Sequence, residues 1–223
     1  MEEEWLADNM IAALSSHPQL DCMDGGRNEC AALSTLLRDA TTKLYELNLF
    51  HNAIDDEGVD ILVGALLPNS NLRNLFLHRN RITARGCQSL ASLLENPNTN
   101  LEKVYLDINN IGNEGAHILA NALARNSKLK TLGLRFNGIT AEGWSSFSKV
   151  LCDTSSVNNT FLSNHTLESL GLSRSIPADV KSLMALNRSS EDKKQVAVKK
   201  ILKHQRHFDM QPFFEWELKV LPI

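Results

Sequence analysis

Gly58, Gly86, Gly115, Gly143 and Gly171 stand 28, 29, 28 and 28 residues apart, each behind a leucine-rich stretch of one recurring form. A fixed period of this length predicts a solenoid, in which every unit buries its apolar face only against its neighbours. The period therefore constrains the architecture more tightly than any other feature of the chain. It does not name a biochemical task, because an architecture of this kind hosts many.

Aligned on their first leucine, four units share one pattern. They read Leu44, Leu47, Leu49, Asn52, Ile54; Leu72, Leu75, Leu77, Asn80, Ile82; Leu101, Val104, Leu106, Asn109, Ile111; and Leu129, Leu132, Leu134, Asn137, Ile139. The spacing resembles the L-x-x-L-x-L-x-x-N-x-L pattern of a leucine-rich repeat. Alternation within the stretch suits a short strand with one buried face. The asparagine suits a tight turn leaving that strand, where its amide can pair backbone groups.

After each strand the apolar spacing changes to three and four. Gly58 is followed by Ile61, Leu62, Leu66 and Leu67, and Gly115 by Leu119, Ala122 and Leu123, the marks of an amphipathic helix. Every strand-to-strand connection is thus a helical crossover, which requires a parallel sheet. Units near 28 residues with a full helix resemble the ribonuclease-inhibitor type of leucine-rich repeat protein, over roughly Leu44 to Gly171. That resemblance implies an α/β solenoid of right-handed curvature, with strands lining the concave face and helices on the convex face.

Register predicts weaker units at both ends. Ile11 to Leu14 reads as a helix, and Leu20, Met23, Gly25, Asn28 and Cys30 fall on the motif, so residues 1–43 are expected to form a helix and a degenerate capping repeat. One period beyond Leu129 lies Val157, which predicts a sixth strand over Val157 to Leu162 and closes the repeats at residue 171. Residues 172–223 are expected to be a helical and extended cap. Pro177 can open a helix through Val180, Leu183, Met184 and Leu186. A second helix carries Val198, Ile201 and Leu202, with Lys193, Lys194, Lys199, Lys200 and Lys203 read as its solvated face. Phe214, Trp216, Leu218 and Val220 then alternate with charges between Pro212 and Pro222, as an extended cover for the solenoid end would. This tail is similar to those of uncharacterised leucine-rich repeat proteins from diatoms and related algae, in which more helix follows.

The net charge of −3 divides into −5 over residues 1–43, −2 over 44–171 and +4 over 172–223. A balance this mild argues against a dedicated nucleic-acid binder. The acidic start lacks the apolar run of a secretory signal, and no stretch reaches transmembrane length. Cys22, Cys30, Cys87 and Cys152 form no C-x-x-C pair, and Cys30 and Cys87 occupy small-apolar positions of the repeat. Reduced, buried thiols and a cytoplasmic or nuclear location are expected. The sequons at Asn158, Asn164 and Asn187 are then accidental.

Function is expected on the outward side chains of the strands. One column holds Asn48, Phe76, Tyr105, Gly133 and Phe161, and the next holds Phe50, His78, Asp107, Arg135 and Ser163. Exposed aromatics around an arginine have the composition of an interaction hot spot. The expected partner-binding residues are Phe76, His78, Tyr105, Asp107, Arg135 and Phe161, with Gly133 as a notch. His78, Asp107 and Ser163 include the residue types of a hydrolase triad, but rungs about 4.8 Å apart would hold His78 and Ser163 roughly 14 Å from each other. No base reaches its nucleophile over that distance. His204 and His207 lack a third ligand, so no metal or other cofactor is expected.

These readings converge on a monomeric, non-enzymatic scaffold for a protein partner, without nucleic acid or membrane insertion. The alternative is a regulator of a small GTPase, since the Ran GTPase-activating proteins resemble this chain in repeat type. Arg79, Arg81 and Arg85, near one strand exit, would then face the nucleotide-bound partner.

Overall fold

The computed structural model describes residues 19–21, 27–38, 44–67, 71–190 and 192–204. Five short strands, Gln19–Asp21 (β1), Glu46–Asn48 (β2), Asn74–Phe76 (β3), Lys103–Tyr105 (β4) and Thr131–Gly133 (β5), form one parallel sheet in chain order. Their central residues pair as Leu20, Leu47, Leu75, Val104 and Leu132. From Leu47 onward those central side chains are buried while their strand neighbours, Gly133 apart, are less so, which is the alternation the pleat imposes. Arg27–Leu37 (α1), Asp56–Leu66 (α2), Ala84–Glu95 (α3), Gly112–Leu123 (α4) and Ala141–Leu151 (α5) follow the strands in turn and stack on one another. The core lies between the two layers. Leu62, Leu90, Leu119 and Phe147 meet it from the helices, all at or below 2% exposure.

The asparagine of each unit does more than close its own turn. Asn80 accepts from the N–H groups of Asn52 (3.1 Å) and Ile54 (2.9 Å) in the preceding unit, and donates to the carbonyls of Leu49 and Leu77 (2.9 Å each). Asn109 donates to Leu77 (3.0 Å) and Leu106 (2.9 Å) and accepts from Ile82 N–H (3.0 Å). Asn137 accepts from Asn109 N–H and donates to Leu106 O. This buried amide ladder satisfies turn groups that no sheet bond can reach, and it couples each unit to the one before.

The glycine column has a steric cause. Asp56, at the start of α2, accepts from Thr83 N–H (2.8 Å) and Gly86 N–H (2.9 Å), and so caps α3 from the neighbouring unit. A Cβ on Gly86 would stand 2.5 Å from that carboxylate. Asn113 does the same for α5: it accepts from Thr140 N–H at 2.9 Å, and a Cβ on Gly143 would stand 2.6 Å from its Oδ1. Gly171 has no part in this column. Its φ of +82° turns the chain away from the sheet beside Arg135.

Phase counting therefore fails at the C-terminal end. Val157–Leu162 is a helix (α6), not a strand, capped by the Ser156 hydroxyl, which accepts from Asn159 N–H at 3.0 Å. Thr160 anchors it from within by donating to Asp153 O (2.8 Å). The sixth rung lies further on, where Thr131 bridges Ser169 in parallel and Leu170 is fully buried. An inserted helix thus separates Leu129 from its true counterpart, Leu167.

A second asparagine marks the correct register. Asn126 accepts from Leu129 N–H (2.7 Å) and donates to Leu94 O (2.8 Å); Asn164 accepts from Leu167 N–H and donates to Leu123 O (2.8 Å each). At the other end, Leu20 pairs with Leu47 rather than occupying the first motif position, which shifts that unit by three residues. Ile11 to Leu14 and the strip from Pro212 to Pro222 lie outside the described residues.

Both helices expected after Pro177 are present, as Ala178–Arg188 (α7) and Lys193–His204 (α8). The buried face of α8 differs from the expected one. Val196, Ala197, Lys200 and Ile201 are buried, whereas Val198 and Leu202 are exposed. Lys200 is not solvated: its ammonium donates to Leu151 O (2.6 Å) at the end of α5 and to Asn164 O (2.9 Å) beyond α6. Cys30, Cys87 and Cys152 are buried, and burial pushes the Cys87 thiol up to about 12. Asn164 and Asn187 are 4% and 0% exposed, so neither sequon presents an acceptor amide.

Candidate functional site

The outward face of the sheet brings five of the six expected residues together. Phe76 and Tyr105 stack at 4.8 Å between ring centroids with 9° between planes, because parallel pairing sets them side by side. Phe50 and His78, one column further on, stack at 4.3 Å. Each of these rings is half-buried by its neighbour rung, so the aromatics are partly covered by the chain itself. Phe161 is the exception: it lies on α6, away from the sheet, and Ser163 just beyond it ties that helix end through Asn159 O and Asp153 N–H.

Asp107 sits at the centre of the face and accepts from Arg135 N–H at 3.0 Å. Its carboxylate also lies over Gly133, so the expected notch is filled by this side chain, and any Cβ at that position would collide with it. Burial lowers the His78 pKa from its ordinary value of 6.5, and Arg79 adds to the effect while Asp107 opposes it. The Arg135 guanidinium lies 5.0 Å over the Phe136 ring, as a cation–π pair.

Phe76, His78, Tyr105, Asp107 and Arg135 line a groove of about 480 Å³ together with Ile108, Phe136 and Leu172. The last three are 41%, 71% and 86% exposed. Sequence reasoning passed over them. Ile108 and Phe136 share with His51 and Arg79 a column two residues past the third leucine, and all four have φ between 55° and 62°. That left-handed turn swings the side chain outward, and it is costly for a β-branched residue such as Ile108. A bulky apolar residue in a column otherwise held by polar ones was the available signal. Leu172 is exposed because Gly171 has already turned the chain out of register.

The family model described as Leucine Rich repeat matches residues 41–62, 98–119 and 125–148. NACHT, LRR and PYD domains-containing protein 3 of Macaca mulatta, and that of Homo sapiens, are each 33% identical over 149 residues, which is 66% of this chain. NACHT, LRR and PYD domains-containing protein 4E of Mus musculus is 32% identical over 151 residues. The chain spans only 14%, 14% and 12% of the length of these relatives. Among solved structures, Leiomodin-1 Actin-Binding Site 2 superposes with a TM-score of 0.58 at 20% identity, covering 78% of this chain and 94% of that one. With a sheet, crossover helices and repeat motif that all agree, the chain has the α/β fold of a leucine-rich repeat solenoid.

Proposed function

We propose that this protein is a non-catalytic scaffold that binds a protein partner across the groove of Phe76, His78, Tyr105, Asp107 and Arg135. The observation that carries the reading is the rim. Ile108, Phe136 and Leu172 expose large apolar surfaces beside stacked aromatics and an arginine, an arrangement common at binding hot spots. The leiomodin-1 neighbour is an actin-binding site, which supports protein binding as a use of this fold. The repeat length, with one full helix per unit, supports the ribonuclease-inhibitor type. Residues 44–171 form the binding module in this reading, with 1–43 and 172–223 as end caps. It acts as a monomer without metal or cofactor, inside the cell, where its buried thiols stay reduced.

Regulation of a small GTPase is the competing reading, through Arg79, Arg81 and Arg85. Recovering partners from native extract and repeating the recovery with Phe136→Ser tests the scaffold. A partner lost with Phe136→Ser, and no acceleration of GTP hydrolysis across a panel of small GTPases, is the expected result. Accelerated hydrolysis that is lost with Arg79→Ala contradicts it.

A further inference from the structure

The asparagine ladder stops one rung early. Along the sheet, the Oδ1 of Asn80 accepts from Asn52 and Ile54 N–H, and that of Asn137 accepts from Asn109 and Ile111 N–H. The position that should serve Asn137 and Ile139 holds Ser175, whose hydroxyl is taken up by Trp144 Nε1 (3.1 Å) and the Ser173 hydroxyl (2.7 Å). The edge bonds stop as well. His51, Arg79 and Ile108 each donate to the next rung at 2.7–3.1 Å, and Leu134 N–H reaches Leu170 O only at 3.4 Å. Among the described residues, the N–H groups of Phe136, Asn137 and Ile139 have no acceptor within hydrogen-bond distance and angle. Asn137 and Ile139 are 3% and 8% exposed, so donors at these positions need a partner.

Those donors meet a crevice of about 530 Å³ between the fifth and sixth rungs, opened where Gly171 turns the chain away. Arg135 and Arg174 line it, and neither is ion-paired within 4.0 Å among the described residues. Asp107 lines the neighbouring groove, not the crevice, and is engaged with the Arg135 amide. Unpaired backbone donors and two arginines lining one crevice give it the composition of an oxyanion site, in which charge-assisted bonds outweigh neutral ones.

We propose that this crevice binds the carboxylate of an aspartate or glutamate side chain from the partner protein, its oxygens taking the place of the missing ladder amide. The proposal rests on the reading that the adjoining face binds a protein. It adds that the partner segment carries an acid close to the apolar residue seated on Phe136 and Leu172.

The test follows backbone amide signals of the ¹⁵N-labelled full chain during titration with N-acetyl-aspartate N-methylamide. Parallel titrations use the uncharged asparagine analogue and inorganic phosphate. Saturable shifts at Phe136, Asn137 and Ile139 are expected, with affinity for the aspartate probe about 5-fold or more above that for the asparagine analogue. Ser175→Asn restores the ladder acceptor without changing charge, and it should abolish those shifts. Arg174→Gln, at an exposed position, should weaken them about 5-fold while the spectrum stays folded. No saturable shift at the three amides, or unchanged binding in Ser175→Asn, overturns the site. Phosphate binding more tightly than the aspartate probe overturns the assignment to a carboxylate side chain. A partner that is lost with Phe136→Ser but unaffected by Ser175→Asn leaves the scaffold standing and removes the crevice from it.

Discussion

Single residues in this chain act across unit boundaries, so their cost on removal exceeds that of a local contact. Asn109 is 6% exposed and bonds the carbonyls of both Leu77 and Leu106 as well as Ile82 N–H. Asn109→Ala leaves those buried backbone groups unpaired and should cost about 2–3 kcal/mol. Gly86→Ala drives a methyl into the Asp56 carboxylate that caps α3, and a loss of about 1–3 kcal/mol is expected. Thermal or denaturant unfolding of the two variants checks both values. At this scale much was legible, since the asparagine and glycine columns stand out by period alone. The reason for the glycines was not legible, because the group they avoid belongs to the preceding unit. Gly171 fell into phase by coincidence and carried the wrong register with it.

At the scale of elements, the strands and helices of the four regular units follow from alternation and from three-and-four spacing. The misread element was α6. A helix inserted between two units resets the phase without disturbing the motif, so Leu167, Leu170 and the asparagine at 164 were better guides than the period. The burial of Lys200 was also hidden, because its two acceptors are carbonyls at the end of α5 and past α6.

Two pH dependences follow. Burial holds the Lys200 ammonium at about 7, below its ordinary 10.5, so between those values the unfolded chain keeps a proton that the folded chain has released. Stability should rise with pH across that window, by up to about 1.4 kcal/mol per pH unit, and fall as pH drops towards 7. Denaturant unfolding from pH 7 to 10 should show a slope that Lys200→Met flattens. His165 lies at about 4 rather than 6.5, chiefly through burial and then through Lys200. Its contribution is complete above pH 6.5 and is lost as pH falls towards 4. In His165→Gln that acid-side loss should shrink by roughly 1–2 kcal/mol, discounted for the partly exposed ring.

Across the whole molecule, units that touch only their neighbours make stability a sum of local terms and interfaces. Leu106 is fully buried in the central unit, so Leu106→Ala should cost about 2–5 kcal/mol. Hydrogen exchange should then quicken in the units on both sides and less at the ends; a loss confined to residues 101–123 would contradict a coupled solenoid.

In the proposed function the outward sheet face, and not the C-terminal strip, holds the partner. Partner affinity measured side by side for Tyr105→Ala and Trp216→Ala separates the two. Tyr105→Ala is expected to weaken binding by about 2 kcal/mol or more, near 30-fold, with the unfolding midpoint little changed. Weakening by Trp216→Ala alone, with both variants folded, would contradict it.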